Sequence, residues 1–314
     1  MKTLGIYYGR LPNGDGYLYP KPADRQFREC ATDLEKTLLA RNIALVYLCG
    51  KDSYLGLGEY SSYWQIDQYT AGAYREVTKT IKPDLIFDKG HIDYDDGYLH
   101  FFNCHELARL GRNKYTQSHV FYDFIPKTVL ITKHDNLAEK LQLLPSQIIV
   151  VKPLGKNGGR GVVVGNKENI TVTEFPVIAQ EFIESSPGVA NLADGRHDLR
   201  LYVVGGEVVL SSVRQPKPGS FLSNTSQGGE IKFASPEDLD AALLNTAQKL
   251  IAKLEKYGDS FYSLDFMFDG TKWWFIEMND RPGFPALFQD ENGEVKFFYE
   301  KFAQFIEKQL GVLG

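Results

Sequence analysis

The chain has 314 residues, of which 43% are apolar, and a formal net charge of −5. This length corresponds to about two domains of ~150 residues, and the apolar share is enough to form hydrophobic cores. The acidic charge, without any basic block, gives no electrostatic footprint for nucleic acid, and no stretch approaches the ~20 apolar residues of a membrane helix. We therefore expect a globular protein that binds small molecules or another protein, and neither nucleic acid nor membrane.

The first residues, MKTLGIYYGRLP, lack the apolar run and the small-residue cleavage site of a signal peptide. The cysteines Cys30, Cys49 and Cys104 lie far apart and form no CxxC pair, which argues against a disulfide framework or a zinc cluster. Both observations favour a cytoplasmic location.

The first third of the sequence alternates strand and helix patterns. The apolar runs LGIYY, IALVYLC and DLIFD predict strands, and helical patterns cover about 24–41 and about 67–81. Strands that alternate with helices are typical of a small parallel α/β sheet.

Two segments between these elements, RLPNGDGYLYPKP and KDSYLGLGEYSSYW, are rich in glycine, proline and tyrosine, which predicts irregular loops. They are either ordinary surface loops or substrate contacts. The second option follows because ligands usually bind at the carboxyl edge of a parallel sheet.

From Lys127 onward the pattern changes to pairs of strands. The apolar runs are TVLIT, IIVVKP, GVVVG, VIAQEFI, LRLYVVGGEVVLSSV and YSLDFMFDGTKWWFIEM. One long helix is predicted between them, opened by Ser235-Pro236-Glu237-Asp238, where Ser235 can cap the helix and Pro236 suits its first turn.

A glycine-rich segment, VVKPLGKNGGRGVVV at 150–164, separates two runs of β-branched residues. Its spelling excludes the P-loop and the dinucleotide fingerprint, and it leads into a strand, whereas both of those loops lead into a helix. Glycines accept positive φ and let successive backbone N–H groups point one way, so such a turn can hold a phosphate. The alternative is a plain mobile hairpin.

Lys152 lies just before this turn and precedes Pro153, which favours extended backbone at the lysine. Its side chain therefore shares a face with Ile148 and Val150. An ammonium at the rim of an apolar face is either a snorkelling lysine or a group that neutralises a phosphate beneath an adenine.

The segment YSLDFMFDGTKWWFIEMND predicts a hairpin that turns at Asp269-Gly270. Binary patterning favours an odd connection, such as a three-residue loop at 269–271. One face then holds Asp265, Met267, Trp273, Phe275, Glu277 and Asn279. The other, apolar except for Lys272 beside the turn, holds Tyr262, Leu264, Phe266, Phe268, Trp274, Ile276 and Met278.

This register groups Asp265, Glu277 and Asn279, whose two carboxylates and amide oxygen are the ligand set that Mg²⁺ accepts alongside substrate phosphates. The alternative is a polar, solvent-facing side of a hairpin. Trp273 and Phe275 on the same face argue against a fully hydrated surface.

Four segments in this order resemble the ATP-grasp superfamily, specifically its glutathione synthetase and ribosomal-protein glutamate ligase branch. They are VVKPLGKNGGRG, AQEFIESSPG, HDLRLYVVGGEVVLSSVRQPKPGSFLSN with QGGE after it, and SLDFMF with FIEMNDRPG. The resemblance covers about 113–283. It implies an α/β (α+β) ATP-grasp fold with an N-terminal parallel α/β domain at 1–115 and nucleotide-clasping subdomains at 116–185 and 186–314.

The resemblance also implies which residues bind ATP. Lys114 and Lys152 match the lysines that hold its phosphates. The closing phosphate loop corresponds to Gly155, Gly158, Gly159 and Gly161, and the linker whose backbone reads adenine corresponds to Gln180, Glu181, Phe182 and Ile183. Asp198 belongs to the D-x-R motif, but the stretch SSPGVANLADGRH before it is longer than in the ribosomal-protein ligases and leaves open which acid holds the ribose.

The remaining matches concern the reaction and the metal. Arg200, Arg214 and Asn224 correspond to the arginine of D-x-R, a phosphate-contacting arginine and a lid asparagine. Asp265, Glu277 and Asn279 correspond to the magnesium ligands. Asp280-Arg281 replaces smaller residues of the family, which makes Arg281 a candidate for a substrate carboxylate.

The implied function is an ATP-dependent carboxylate–amine ligase that forms a peptide-type bond through an acyl phosphate and releases ADP and phosphate. Its cofactors would be ATP and Mg²⁺, with Mn²⁺ as a substitute. Its partners would be amino-acid or peptide substrates, with a protein acceptor and a homo-oligomer left open. A phosphotransferase and a non-catalytic nucleotide-binding protein are the alternatives, and phosphate release that depends on an added amine separates the three.

Overall fold

A computed structural model describes residues 1–12, 23–66, 74–156, 158–217, 230–290 and 292–312. The chain divides into two compact units, of which unit 1 comprises Met1–Cys104, Asp259–Phe261 and Arg281–Gly314, and unit 2 comprises His105–Gly258 and Tyr262–Asp280. The predicted three-domain division stays a prediction. The predicted division places 281–314 in one subdomain with 186–280, whereas the division into two compact units places 281–314 in unit 1. No helix of the described residues is long and apolar enough to cross a membrane.

Unit 1 is built on a mixed five-stranded sheet. Its strands are β1 (Lys2–Tyr8), β2 (Ile43–Cys49), β5 (Tyr63–Ile66), β6 (Tyr74–Val77) and β7 (Leu85–Asp88). Their order is β6-β5-β2-β1-β7. β1 pairs in parallel with β2 and β7, whereas β5 pairs antiparallel with β2 and β6. The predicted parallel sheet is therefore confirmed for three strands, and two antiparallel strands extend it.

Two helices, numbered in chain order, belong to unit 1: α1 (Ala23–Leu39) and α6 (Glu294–Val312). α1 confirms the helix predicted at about 24–41. In α6 the buried Tyr299 donates its hydroxyl to the carbonyl oxygens of Pro285, at 2.8 Å, and Cys30, at 3.3 Å. Phe302 packs edge-on against Phe102, with ring centroids 6.2 Å apart. The last helix thus completes the core of the unit that begins the chain.

Two predictions in unit 1 are wrong. The helix predicted at about 67–81 is a strand at β6, because Tyr74 packs edge-on against Tyr47, with ring centroids 4.9 Å apart, and the backbone pairs with β5. Residues 67–73 lie outside the described part. The segment KDSYLGLGEYSSYW contains a hairpin, β3 (Tyr54–Gly56) and β4 (Glu59–Tyr60), where an irregular loop was expected. Most of RLPNGDGYLYPKP lies outside the described residues.

Unit 2 contains two sheets. The first has the strands β8 (Thr128–Ile131), β9 (Ile148–Pro153), β10 (Val163–Asn166) and β11 (Val177–Glu181), in the order β10-β9-β11-β8. The second has β12 (Asp198–Val204), β13 (Glu207–Gln215), β14 (Glu230–Ala234), β15 (Phe261–Phe268) and β16 (Trp273–Asn279), in the order β14-β13-β12-β15-β16. Helices α2 (His105–Arg112), α3 (Lys114–Val120), α4 (Leu137–Gln142) and α5 (Ala241–Leu254) accompany them.

The start of α5 differs from the prediction. Ser235 caps only a 3₁₀ turn, Pro236–Asp238, after which Leu239 is extended. The helix begins later, where the Asp240 side chain accepts a hydrogen bond from the Ala242 N–H at 2.8 Å. Ser235 therefore acts as a cap, as predicted, but it caps the 3₁₀ turn and not the long helix.

Alternation along β9 separates the core of the first sheet from its open face. Ile149 and Val151 are buried in the hydrophobic core of this sheet. Ile148, Val150 and Lys152 therefore point to the opposite face. This arrangement confirms the face predicted for Lys152.

Candidate functional site

A solvent-open cleft lies in unit 2. Its lining residues come from α3, from β9, β10 and the turn between them, from β11 and the segment that follows it, and from β12, β13, β15 and β16 of the second sheet. The cleft therefore collects side chains that lie up to 163 positions apart in sequence, from Lys114 to Glu277.

One part of the cleft is apolar. Val150, Val164, Met267 and Ile276 line it, and the chain leaves β11 beside them through Phe182 and Ile183. Such a surface can bury a flat ring, while the neighbouring backbone supplies hydrogen-bonding groups. The sequence predicted the shared face of Val150 and Lys152, but it did not predict Val164 as a lining residue, although the alternation in GVVVG could have identified it.

Glu181 lines the same part of the cleft, but its carboxylate is already bonded. It accepts from the Lys127 N–H at 3.2 Å and from the Ser146 hydroxyl at 3.0 Å. The carboxylate therefore ties β11 to its surroundings. The contact of the Glu181 backbone with adenine, which the family resemblance implies, stays a prediction.

The glycine-rich turn joins the antiparallel strands β9 and β10. Gly158, Gly159 and Gly161 have φ of 68°, 73° and 73°, which glycine adopts without steric cost. A Cβ added at Gly155 would meet nothing within 4 Å. The turn thus has the open, positive-φ backbone predicted for a phosphate-binding loop.

Two contacts hold this turn in place. The Lys114 ammonium donates to the carbonyl oxygen of Lys156 at 2.9 Å, and the Lys156 side chain forms an ion pair with Glu174. Lys114 comes from the first turn of α3, where the Asn113 side chain accepts from the backbone N–H groups of Tyr115 and Thr116. Lys156 was not among the predicted residues, although it lies within the quoted motif.

Lys152 projects into the cleft from β9, and its ammonium donates to the Gln180 side-chain oxygen at 2.7 Å. Burial lowers the pKa of Lys152 to about 8, although the nearby Glu277 carboxylate opposes this shift. The site therefore presents a partly desolvated cation that an anionic ligand would stabilise in its charged form.

The hairpin of β15 and β16 differs from the predicted register. Phe268 pairs with Trp273 across a four-residue connection, 269–272, and the register shifts by one residue beyond Phe266. Asp265 consequently lies directly opposite Glu277, where the odd loop would have placed them diagonally. The extra residue is Ile276, which forms a β-bulge and lines the cleft.

The bulge corrects the predicted faces on the turn side of the hairpin. Phe275 pairs with Phe266 and Trp273 with Phe268, so neither aromatic ring shares the face of Asp265. Trp274 pairs with Met267 instead. The prediction that Asp265, Glu277 and Asn279 share one face is confirmed, but through an even turn and a bulge rather than an odd turn.

Asp265 is 4% exposed and lies between two arginines of the second sheet. Arg200 forms a bidentate pair with it, at 2.8 and 2.7 Å, and Arg214 donates to it at 3.1 Å. Burial alone would raise the pKa of Asp265, but the two guanidiniums outweigh it and lower the pKa. Arg214 also pairs with Asp198, so Asp198 lines the cleft as a member of this ion-pair network.

The other predicted metal ligands adjoin this network. The Asn279 amide nitrogen lies 3.4 Å from Asp265 Oδ2, and Lys114 Nζ lies 3.6 Å from Glu277 Oε2. Arginine and lysine side chains therefore already balance both carboxylates.

The three side chains fit a hard cation by their chemistry, since two carboxylates and an amide can supply oxygen ligands. Among the described residues, no group of three or more histidine, cysteine, aspartate and glutamate side chains could hold a metal ion by itself. Further ligands would have to come from a phosphate or from water, as is usual for Mg²⁺.

Two predicted residues lie elsewhere. Asn224 is outside the described residues, so its position in a lid stays a prediction. Arg281 belongs to unit 1, where it donates to Asp88 at 3.1 Å with both side chains about one-tenth exposed. Its proposed contact with a substrate carboxylate also stays a prediction.

Solved structures share this architecture. The VanG D-Ala:D-Ser ligase from Enterococcus faecalis is 15% identical, with a TM-score of 0.66 over 100% of this chain and 99% of that one. The ATP-grasp ligase PsnB, complexed with a minimal precursor, is 11% identical, with a TM-score of 0.60 over 98% of this chain and 99% of that one. At these identities the likeness establishes the fold, which is the predicted ATP-grasp fold.

The sequence family is also established. The family model for the prokaryotic glutathione synthetase ATP-grasp domain matches residues 113–272, so the chain belongs to this family. A probable alpha-L-glutamate ligase from Vibrio vulnificus (strain YJ016) is 28% identical over 193 residues, or 59% of this chain. The match spans 58% of that relative's length. The resemblance to the glutathione synthetase and glutamate ligase branch is thereby confirmed.

Proposed function

We propose that this protein is an ATP-dependent ligase that joins a carboxylate to an amine. The observation that carries the proposal is the convergence of Lys114, Lys152, Asp265 and Arg214 in one cleft of an ATP-grasp fold, where Arg200 supports Asp265 from behind the lining as its ion-pair partner. Phosphoryl transfer needs charge neutralisation and in-line positioning more than acid or base catalysis. This cleft concentrates the required charges.

In the proposed complex, the adenine lies against Val150, Val164 and Ile276, and the backbone at 181–183 reads its edge. The phosphates extend towards Lys152 and Lys114, beneath the glycine-rich turn. Asp265, Glu277 and Asn279 would hold Mg²⁺, or Mn²⁺ in its place. When bound, such an ion neutralises phosphate oxygens and orients them.

The arginines would act at the transferred group. Guanidinium forks match phosphate oxygens as well as carboxylates, so Arg200 and Arg214 can exchange part of their contact with Asp265 for the phosphoryl group. The γ-phosphoryl would pass to an oxygen of the substrate carboxylate, which gives an acyl phosphate and ADP. An amine then attacks the acyl carbon, phosphate leaves, and the amine proton is lost to solvent.

We further propose that the substrates are amino acids or peptides and that the protein acts in the cytoplasm. The names of the relatives support the first point, since they are a glutamate ligase, a D-Ala:D-Ser ligase and a ligase complexed with a precursor. The three cysteines, all free, support the second. A peptide or protein acceptor and a homo-oligomer belong to the same proposal.

The test is a screen of amino-acid and dipeptide pairs for release of ADP and phosphate, with Glu277→Gln as the matched inactive control. We expect release only when a carboxylate substrate and an amine are both present. Release without an amine, together with a stable phosphorylated product, would identify a phosphotransferase. ATP binding without turnover in any pair would favour a non-catalytic nucleotide-binding protein.

A further inference from the structure

Two hydrogen bonds connect Lys152 to Thr128 on the edge strand of the first sheet, and a third joins Thr128 to Pro126. The Lys152 ammonium donates to Gln180 Oε1 at 2.7 Å, and Gln180 Nε2 donates to the Thr128 hydroxyl at 2.9 Å. That hydroxyl donates to the carbonyl oxygen of Pro126 at 2.8 Å. Gln180 is 2% exposed, so its amide depends on these protein partners.

The groups at the two ends of this series of hydrogen bonds fix which atom donates in each bond. An ammonium can only donate and a carbonyl oxygen can only accept. The Thr128 hydroxyl has one proton and gives it to Pro126, so it must accept from Gln180. The amide of Gln180 is thereby forced to present its oxygen to Lys152. A flipped amide would set its NH₂ group against the ammonium.

The strand register places these residues on the open face of the sheet. Gln180 is the direct partner of Thr128 on β8 and of Val150 on β9. Lys152 follows Val150 by two residues on the same face, so it is a diagonal neighbour of Gln180. The contact between them holds the long lysine side chain at one place in the cleft.

The hydrogen-bond partner of the Lys152 ammonium is a neutral amide. Lys114 lies beside Glu277, whereas among the described residues no carboxylate forms an ion pair with Lys152. A neutral amide fixes the position of the ammonium without cancelling its charge. A carboxylate in the same place would hold the lysine equally well but would compete with an anionic ligand.

We propose that Thr128 and Gln180 are positioning residues, which hold the Lys152 ammonium at the phosphates of the bound nucleotide while leaving its charge available. This inference rests on the proposed function, because it requires a nucleotide in the cleft. It assigns to the Gln180 side chain a role separate from the adenine contact of its backbone. It assigns to Thr128 a role that no sequence motif indicated.

The experiment compares the binding of ATP and of adenosine by calorimetry, in the absence of co-substrates. Thr128→Val removes the hydroxyl, Thr128→Ser keeps it, and Gln180→Glu replaces the amide by a carboxylate of nearly the same shape. Ser146→Ala is the matched control, since Ser146 also donates a hydroxyl to a side chain of β11 but lies outside the chain of bonds.

We expect Thr128→Val to weaken ATP binding about 3–10-fold, the loss typical of one hydrogen bond, with Thr128→Ser close to wild type. Gln180→Glu should weaken it by at least about tenfold, because the new charge repels phosphate. Adenosine has no phosphate, so its binding should stay within about twofold in each variant, a change of under half a kcal/mol. Ser146→Ala should bind both ligands like the wild type.

Equal weakening for ATP and adenosine would mean that the bonds only support the fold, and would overturn the proposal. Unchanged ATP binding in Thr128→Val and Gln180→Glu would overturn it as well. Lys152→Ala separates this failure from that of the proposed function. If Lys152→Ala weakens ATP binding while the other variants do not, only the positioning role is wrong. If Lys152→Ala also binds ATP like the wild type, the assignment of the nucleotide site itself is wrong. If Thr128→Val does not fold, Gln180→Glu with the two ligands decides the question.

Discussion

Among single residues, Asp265 has two candidate roles that compete for the same carboxylate oxygens. It is a candidate metal ligand, and it is also the carboxylate that balances Arg200 and Arg214, whose side chains are 14% and 8% exposed. Glu277 is likewise a candidate metal ligand, but it balances a neighbouring cation less strongly than Asp265 does. Its side chain is 24% exposed, and its contact with Lys114 is longer, at 3.6 Å. Substitutions at the two positions should therefore differ in stability and agree in activity.

We predict that Asp265→Asn loses ATP turnover and also about 3–5 kcal/mol of stability, because the buried Arg200 loses its carboxylate partner and Arg214 keeps only Asp198. Glu277→Gln and Asn279→Ala should lose turnover as well, but with about 1 kcal/mol or less of stability, as for a partly exposed pair. Urea unfolding and ADP release measure the two effects. An Asp265→Asn protein as stable as Glu277→Gln would contradict the described ion-pair network.

His197 should make stability depend on pH. It is 1% exposed, its Nε2 accepts from the Phe268 N–H at 3.4 Å, and its Nδ1 lies 3.0 Å from the Gly195 carbonyl oxygen. Burial lowers the pKa of His197, although the Gly195 carbonyl opposes this shift. The unfolded chain then binds a proton at higher pH than the folded protein, so stability is full above about 6.5 and falls as the pH drops below it.

The measurement is the melting temperature between pH 8 and pH 5. The decline of the wild type on acidification should be smaller in His197→Gln, which cannot take up the proton. His105→Gln, at an exposed position, serves as the control and should follow the wild type. Identical slopes in all three proteins would rule out His197 as the group responsible.

At the level of elements, the glycine-rich turn offers a matched pair of substitutions. Gly158 and Gly161 have φ of 68° and 73°, so alanine meets similar backbone strain at both. A Cβ at Gly158 would meet nothing within 4 Å, whereas one at Gly161 would lie 2.9 Å from Cγ of Pro153. The two sites differ mainly in this contact with the end of β9.

We predict that Gly161→Ala raises the KM for ATP more than Gly158→Ala does, since the added methyl group displaces the turn from Pro153. Each substitution should also cost about 1 kcal/mol for the positive φ. Steady-state kinetics and thermal unfolding of both variants provide the check. A larger effect at Gly158 would show that the turn contacts its ligand mainly there.

The hairpin of β15 and β16 shows how far sequence reasoning reached. The motifs and the alternation identified the strands, several of the cleft residues, and the shared face of Asp265 and Glu277. Counting residues could not distinguish a three-residue turn from a four-residue turn with a bulge at Ile276, because both bring the two carboxylates to one face. Only packing decides, through the pairing of Phe275 with Phe266. The strand at Tyr74–Val77 was missed for a similar reason, since its partner Tyr47 is distant in sequence.

For the whole molecule, the balance of charges in the cleft determines what stabilises it. The two carboxylates among the candidate metal ligands, Asp265 and Glu277, are already paired with cations, so a divalent ion alone must compete with Arg200 and Lys114. A nucleotide brings its own negative charge and changes this balance. Ligands that bind only the folded state raise the melting temperature according to their affinity and concentration.

We predict that MgCl₂ alone leaves the melting temperature unchanged, whereas MgCl₂ with ATP raises it more than ATP does. Arg200→Gln should sensitise the protein to MgCl₂ alone, because Asp265 loses its bidentate partner. Differential scanning fluorimetry of both proteins with MgCl₂ and with NaCl of equal ionic strength distinguishes binding from screening. A response of the wild type to MgCl₂ alone would contradict the prediction.

The division into two units affects the order in which they can fold during synthesis. A ribosome delivers β1 before unit 2 and α6 after it. Tyr299 and Phe302 of α6 fill the core around Cys30 and Phe102, so the sheet of unit 1 lacks part of its interior until α6 has been made. Although domains that come first usually fold first, here the cleft-bearing unit can finish while the N-terminal unit still waits for its last helix. A chain truncated after residue 281 would thus carry a complete β16 and an open N-terminal core, a candidate for chaperone binding.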